Sequence, residues 1–162
     1  MSKGRQQYYN PGGTVSYTKG ETKASPSLHV CPECGAIEVK KRWYWDSEVP
    51  ESKKRSHGEE ICPGCKAVKN GWIEGEVVLK NGILKLVPKQ IESFIRNLEE
   101  RFRHDDPKNR IVKIKKFKNM WKVFTASPFL ARRIGEGLES TYKSRVSYSF
   151  PKEDKFVSVV WE

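Results

Sequence analysis

Four cysteines constrain this chain more than any other feature of its sequence. They form two C-x2-C pairs, Cys31 with Cys34 and Cys62 with Cys65, separated by 27 residues. Two thiolates at this spacing can turn onto one metal ion in a tight knuckle, and two knuckles complete a tetrahedral four-sulfur site. Such a closed site is structural, because no coordination position stays open, and it stabilises a lobe with little core of its own. The pattern predicts one structural Zn²⁺ ion.

Other uses of four cysteines were weighed against zinc. A disulfide framework belongs to secreted proteins, and no apolar stretch of a secretory signal follows Met1–Arg5, so we expect a cytoplasmic protein. Two thioredoxin-type redox pairs would need a βαβ context, which the pattern lacks. Iron is the main rival, because rubredoxins also use two knuckles, although they are small acidic electron carriers. His29 and His57 lie near the knuckles, but four cysteines need neither as a ligand.

The charge of the chain constrains its partners. The 162 residues hold 31 Lys and Arg against 20 Asp and Glu, a formal net charge of +11, and only 36% of the residues are apolar. No apolar run is long enough to span a membrane. A strongly basic chain favours polyanions, namely RNA, DNA or an anionic membrane surface.

Three regions follow from the changes in composition. Residues 1–27 predict a disordered basic tail, 28–70 a zinc-ribbon lobe, and 71–162 an α+β RNA-binding-like domain. Within the lobe, Lys41, Arg42 and Trp43 are candidate nucleic-acid contacts, since cations meet phosphates and rings stack on bases. Alternation along a strand places Trp43 and Trp45 on one face and Tyr44 on the other. We expect at least one of these faces to be core.

The third region shows alternating strand and helix signals. The predicted strands are Trp72–Leu79, Ile83–Val87, Arg110–Phe117, Trp121–Thr125, Val146–Phe150 and Phe156–Trp161. Asn81-Gly82 predicts a type I′ hairpin between the first two. One helix begins at Pro88 and ends near Asp105, and a second has Ser127 as its N-cap and Pro128 at its first position. The expected fold class is α+β: a four-cysteine zinc ribbon, then an antiparallel sheet with two helices on one face.

Cations cluster in one part of that region. Residues 107–135 contain no acidic residue but nine cations. Among these, and at the start of the second helix, the candidate phosphate contacts are Lys113, Lys115, Lys116, Lys118, Lys122, Ser127, Arg132 and Arg133. We expect one basic surface formed by a hairpin and by the first turns of the helix.

Motifs for catalysis are missing from the sequence. It has no P-loop, no G-x-G-x-x-G, no nucleophile elbow and no H-E-x-x-H. Three histidines and a closed metal site offer little for catalysis, so we expect neither an enzyme nor a small-molecule substrate. A nuclease with scattered carboxylates remains an alternative, although no pair of carboxylates stands out.

One stretch resembles a known group of proteins. Residues 121–138, WKVFTASPFLARRIGEGL, continuing through 145–148 to 159–161, resemble small bacterial zinc-ribbon proteins. These are distantly similar to the archaeal and eukaryotic adaptor family named for nonsense-mediated decay, member three, which binds the large ribosomal subunit. The shared pattern is a strand ending in Thr-x-Ser, a helix with Ala-Arg-x-Ile/Leu-Gly, and then a hairpin, over roughly residues 70–162 plus the cysteine knuckles.

The resemblance implies a ribosome-facing role in subunit maturation, export or quality control. It implies that the four cysteines are zinc ligands, and it carries Thr125, Ser127, Arg132 and Arg133 over as a motif without an assigned purpose. The adaptor family typically has four knuckles and long C-terminal domains, whereas this chain has two knuckles. Our hypothesis is a non-enzymatic, zinc-stabilised protein that binds RNA, specifically ribosomal RNA. The alternatives are a protein-interaction adaptor and an iron-bearing electron carrier.

Overall fold

The computed structural model describes residues 28–45, 48–49, 58–151 and 155–162. The predicted tail over 1–27, most of the charged loop between the cysteine pairs, and residues 152–154 of the last turn lie outside the described residues. The elements are β1 (Leu28–Val30), β2 (Ile37–Val39), β3 (Arg42–Tyr44), β4 (Gly58–Glu59), α1 (Pro63–Asn70), β5 (Gly75–Leu79), α2 (Ile83–Leu86), α3 (Pro88–Asp105), β6 (Ile111–Lys116), β7 (Trp121–Thr125), α4 (Pro128–Tyr142), β8 (Val146–Ser149) and β9 (Val157–Trp161). The mixed α+β class is confirmed.

A small sheet and α1 form what we call the metal lobe. Its strand order is β3-β2-β1-β4, with β1, β2 and β3 antiparallel and β4 parallel to β1. Lys40 and Lys41 connect β2 to β3 with φ of 51° and 66°. A two-residue hairpin with positive φ at both positions is usually built from glycine and asparagine. Two lysines here therefore hold a strained backbone at an exposed tip.

Five strands and α2, α3 and α4 form the α/β body. The strand order is β6-β7-β5-β9-β8. Neighbouring strands are antiparallel except β5 and β9, which run parallel with Gly75 opposite Val157 and Leu79 opposite Trp161. The prediction of a purely antiparallel sheet is therefore wrong for this pair. The reason is that α4 carries the chain from β7 across the sheet to the far edge, and β9 then returns between β8 and β5.

The predicted hairpin at Asn81-Gly82 is also wrong. Residues Ile83–Leu86 form the short helix α2, and Gly82 has a helical φ of −58° instead of the positive φ of a type I′ turn. The side chain of Asn81 accepts a hydrogen bond from the backbone N–H of Ile83 (3.0 Å). This local bond starts a helical turn, and burial of Leu84 in the core holds it.

Helices α3 and α4 lie where the sequence places them. Pro88 and Pro128 begin them, and the apolar side chains that recur along each helix point inward. The fully buried side chains of the two helices meet the inward residues of the central strands and form one core: Ile91, Ile95, Leu130, Ile134 and Leu138 with Val77, Leu79, Val123, Val159 and Trp161. Both helices thus cover the same face of the five-stranded sheet.

Two glycines of α4 let this helix pack closely against the sheet and against α3. A Cβ at Gly135 would lie 2.7 Å from Val159 Cγ1 on β9, and one at Gly137 would lie 2.9 Å from the Phe94 ring on α3. Both distances are shorter than a normal contact. The missing side chains therefore let α4 lie close to the sheet and to α3.

Candidate metal centre and nucleic-acid interface

The four cysteines converge in the metal lobe. Their Sγ atoms all lie within 4.8 Å of one another, and the Sγ atoms of Cys34 and Cys62 are 3.6 Å apart. A tetrahedral ion with sulfurs at about 2.3 Å would hold them about 3.8 Å apart. Cys31, Cys62 and Cys65 are buried, and Cys34 is half-buried. The donor set and its spacing therefore fit a metal ion held by four thiolates.

Different elements carry the two cysteine pairs. The first pair lies in the turn between β1 and β2, where Gly35 takes a positive φ of 77° and donates its N–H to the carbonyl of Cys31 (2.8 Å). The second pair opens α1, with Cys62 as its N-cap and Cys65 in its first turn. The predicted ribbon is therefore confirmed only in part, since the second knuckle is a helix start and not a hairpin. A helix N-terminus favours the thiolate form.

The thiols of the metal-free centre differ in acidity. Burial raises the pKa of Cys65 to about 11, and burial also raises the pKa of Cys62 well above the ordinary thiol value. Burial acts in the same direction on Cys31, but hydrogen bonds from backbone N–H groups of Cys62, Cys34 and Glu33 offset it and lower the pKa of Cys31 to about 7. A metal ion must displace the remaining thiol protons when it binds.

The metal lobe packs against one end of the α/β body. The Trp45 indole donates its N–H to the carbonyl of Arg103 (2.9 Å), and the Arg103 guanidinium lies 5.0 Å from the Trp45 ring. Arg110 donates to Cys65 Sγ at 3.7 Å. A Cβ at Gly64 would lie 1.9 Å from the carbonyl oxygen of Pro107, so only glycine allows this approach.

The aromatic triplet divides as alternation predicts. Trp43 and Trp45 pack beside the cysteine cluster, and Tyr44 packs on the other side with Leu28 and Ile37. Both faces thus contribute to the small core of the lobe. Trp43 also lines an open groove at the junction with the body, opposite the exposed Trp72.

The histidines near the knuckles are not needed at the cysteine centre. His29 Nδ1 lies 2.9 Å from Glu38 Oε2, which is its cross-strand partner. Glu60 brings a third possible ligand atom to within 4.8 Å of these two. The three side chains are half-buried or exposed, and the contact of His29 with Glu38 is explained by their pairing across the strands. The prediction for His57 lies outside the described residues.

Structure divides the nine cations of residues 107–135 into paired and unpaired groups. Six of them contact carboxylates that lie outside this stretch, four with earlier segments of the chain and two with Glu136 on the same helix: Lys108 with Glu74, Arg110 with Glu99, Lys116 with Glu92, Lys122 with Glu76, and Arg132 and Arg133 with Glu136. Within the described part of the chain, Lys113, Lys115 and Lys118 make no such pair. All three lie on β6 or in the turn that follows it. The absence of acidic residues from residues 107–135 therefore suggested more unpaired positive charge than the folded protein presents.

Alternation along the strands also divides these cations between two surfaces. We call the side of the five-stranded sheet opposite α3 and α4 the open face. Cross-strand pairing orders its residues in two rows, Lys113-Phe124-Glu76-Ser158-Ser149 and Lys115-Lys122-Val78-Val160-Ser147. Lys115 and Lys122 are direct neighbours, and like charges opposite each other are unfavourable unless a counter-charge is near. The Lys113 Nζ lies 5.1 Å from the centre of the Phe124 ring.

The other predicted phosphate contacts lie elsewhere. Lys116 points to the helix side, 4.6 Å above the Trp121 ring, and Arg132 and Arg133 lie exposed on α4. These side chains do not meet the lysines of the open face, so the single basic surface expected from sequence is not formed. Lys41 and Arg42 are exposed at the tip of the metal-lobe hairpin.

Ser127 has a structural role in this arrangement. It is 5% exposed, its Oγ accepts from the backbone N–H of Leu130 (3.1 Å), and it donates to Asn109 Oδ1 (2.6 Å). Its N-cap role is confirmed. Because its hydroxyl is occupied and buried, we leave it out of the candidate surface.

Sequence reasoning missed two aromatic residues of these surfaces. Phe124 is half-buried on the open face, and Trp72 is 55% exposed beside the groove. Phe124 could have been found, because it lies two residues from Lys122 in one strand and so shares its face. Trp72 gave no such signal, because the sequence places it at the start of the predicted strand Trp72–Leu79, whereas β5 begins only at Gly75.

Comparison with known proteins adds no assignment. No model of a protein family, no curated protein and no solved structure matches this chain. Among the described residues, none of the helices combines the length and the apolar character that crossing a membrane requires.

Proposed function

We propose that this protein is a zinc-stabilised RNA-binding protein that associates with ribosomal RNA. The observation that carries the proposal is the open face, where Lys113, Lys115 and Lys122 lie beside the aromatic ring of Phe124. Cations beside an aromatic ring are what a nucleic-acid strand requires, since phosphates meet the cations and bases stack on the ring. The ribosomal target rests on the resemblance of residues 121–161 to the adaptor family.

Zinc is the proposed metal because of the donor set. Four thiolates at tetrahedral spacing form a closed site. Zinc is the metal that structural sites of four cysteines typically bind. Iron in the same ligands would give a visible thiolate-to-iron absorption that zinc lacks. Elemental analysis of the purified protein, with its visible spectrum, decides between the two: one zinc per chain and no colour is expected, and a red protein would contradict it.

Phosphate contacts of this kind set position and not sequence. Three or four cations on the open face and its β6–β7 turn would release counterions with a log–log salt slope of about −2 to −3 on single-stranded RNA. The seven cations of the sequence-based patch would instead give about −5. A measured slope therefore distinguishes the open face from the larger surface.

Co-sedimentation of the tagged protein through a sucrose gradient of native lysate tests the proposal. We expect migration with one ribosomal peak, loss after nuclease treatment, and weakening at about 0.5 M salt because screening shortens the range of the charges. Migration at the top of every gradient would contradict ribosome association. Binding that survives nuclease would indicate a protein partner instead.

A pair of double variants locates the surface. Lys113→Glu with Lys115→Glu should abolish the association, because it reverses two exposed charges of the open face. Lys85→Glu with Lys89→Glu makes the same change in net charge on exposed residues of α2 and α3, and should leave binding close to wild type. Equal loss in both variants would mean that net charge alone attracts the RNA.

A further inference from the structure

An open groove of about 500 Å³ lies where the metal lobe meets the α/β body. Its walls include Trp43, Lys66 and Trp72 from the lobe side, and Glu74, Lys108 and Ala126 from the body. The volume is within the range of ligand-binding clefts. The groove is part of neither the cysteine centre nor the hydrophobic core of the body, so neither of them accounts for it.

Trp72 is the residue that marks this groove as a binding surface. It is 55% exposed, although exposing an indole to water is unfavourable. The Lys66 Nζ lies 5.9 Å from the centre of its ring, so a cation is already placed beside the aromatic surface. A flat aromatic ligand with an attached phosphate would match both groups.

The groove continues the open face. Glu74 precedes β5 by one residue and Ala126 follows β7 by one residue, and the Glu74 N–H donates to the carbonyl of Thr125 (2.9 Å). Since side chains alternate along a strand, Glu74 shares the face of Glu76, and Ala126 shares the face of Phe124. A strand of RNA crossing the open face therefore reaches the groove at the end of the same sheet surface.

Polar groups in the groove suit the edge of a base. Both carboxylate oxygens of Glu74 lie 2.7 Å from Lys108 Nζ, which orients the carboxylate. Carboxylate oxygens accept hydrogen bonds from base N–H groups, and ammonium groups donate to base carbonyls or phosphates. The groove thus offers a stacking surface together with an acceptor and a donor.

We propose that the groove receives one unpaired base of single-stranded RNA, which stacks on Trp72 while its phosphates lie along Lys113 and Lys115. This inference rests on the proposed function and adds to it that the RNA must be single-stranded at this point. A duplex cannot place a base there without unpairing it.

Trp72 is the residue to change, because its exposure makes it dispensable for folding, whereas Trp43 packs beside the cysteines. The zinc-loaded full chain is titrated with an adenylate dodecamer, with the same length of duplex RNA, and with inorganic polyphosphate. Trp72→Ala should weaken binding of the single strand by at least about fivefold and leave the other two affinities unchanged. Trp72→Phe should retain most of the affinity, but lose most of the tryptophan quenching that the dodecamer causes.

Phe150→Ala is the matched control, since it removes a comparably exposed ring, 58% exposed, after β8. It should bind all three probes like wild type. Unchanged single-strand binding in Trp72→Ala would overturn the base-stacking inference and leave the proposed function standing. An equal loss for all three probes would overturn it as well, because the groove would then contact only phosphate. If the wild type binds none of the probes, the proposed function fails.

Discussion

The metal lobe and the α/β body are stabilised by different means. The body buries fifteen apolar residues in one cluster, including large side chains such as Trp161, Leu130 and Ile91. The lobe has two small clusters, one of which consists mainly of the cysteines themselves. Apolar burial at about 25 cal/mol per Å² can hold the body, whereas the lobe buries little apolar area, so we expect it to depend on a metal held by the four cysteines.

The difference teaches where each region is vulnerable. Stability of the body depends on packing, which temperature and core substitutions change. If the four cysteines hold a metal as proposed, stability of the lobe depends on thiolate ligation, which chelators and pH change. The groove lies between them, so its shape depends on both.

Metal removal should have the largest effect. Binding of a structural zinc contributes about 10 kcal/mol or more in small zinc domains at neutral pH. We expect a strong chelator, or Cys62→Ser, to unfold the strands and helix of the metal lobe while the body stays folded. Hydrogen exchange resolved by segment measures this: amides of β1–β4 and α1 should exchange fast, and those of β5, β7 and β9 should stay protected. Loss of protection in both regions together would show that they fold as one unit.

A substitution in the core of the α/β body should destabilise the body and leave the metal lobe unchanged. Leu138 is fully buried on α4, and Leu138→Ala should destabilise the body by about 2–5 kcal/mol through lost contacts and a cavity. Denaturant unfolding followed by circular dichroism measures the loss. Zinc content should remain one per chain. Loss of zinc at the same denaturant concentration at which the body unfolds would contradict independent stabilisation of the two regions.

The pH dependence of metal binding should be steep and confined to the lobe. Because the pKa of Cys65 is raised to about 11, and that of Cys62 is raised as well, both thiols are protonated at neutral pH and each releases a proton to the metal. Affinity should therefore fall by at least about 100-fold for each unit of decreasing pH near pH 8, since Cys62 and Cys65 alone account for two protons. Below pH 7 the dependence should steepen, because the Cys31 thiol, with a pKa of about 7, is then protonated too.

Competition titrations with a chelator of known affinity measure this slope. Calorimetry in buffers of different ionisation enthalpy gives the proton count directly. A pH-independent affinity would contradict binding by thiolates.

Adding one methyl group where the metal lobe meets the body should cause a smaller loss of stability. Gly64→Ala would place a methyl group 1.9 Å from the Pro107 carbonyl, which costs about 1–3 kcal/mol if the contact shifts to relieve it. Gly82→Ala is the matched control, since its φ is −58° and nothing lies within 4 Å of the added carbon. Thermal unfolding should show a lower midpoint for Gly64→Ala alone. Equal midpoints would mean that the lobe moves away at no cost.

Sequence was most informative where chemistry or capping is local. The cysteine spacing, the two prolines that begin α3 and α4, and the Ser127 cap depend on residues a few positions apart. The parallel pairing of β5 with β9 was not predictable in this way, because the two strands are far apart in sequence. At Asn81-Gly82 the pattern was compatible with two turns, and burial of Leu84 decided for the helix.

Prediction of the basic surface failed for a related reason. The carboxylates that pair with Lys108, Lys116 and Lys122 come from β5, α3 and their flanks, and a count along residues 107–135 cannot include them. Strand alternation was visible in the sequence and separates Lys115 from Lys116. The resemblance to the ribosome adaptor family remains a prediction.

The position of β9 has a consequence for synthesis of the protein. This strand lies in the interior of the sheet and pairs with β5, which precedes it by about eighty residues. At translation rates of about 5–20 residues per second, β5 emerges roughly 4–16 s before its partner exists. During that interval every element of the metal lobe has already been synthesised, because all of them precede β5 in the chain. The nascent chain therefore carries all four cysteines beside a sheet whose interior hydrogen bonds must wait for Val157–Trp161.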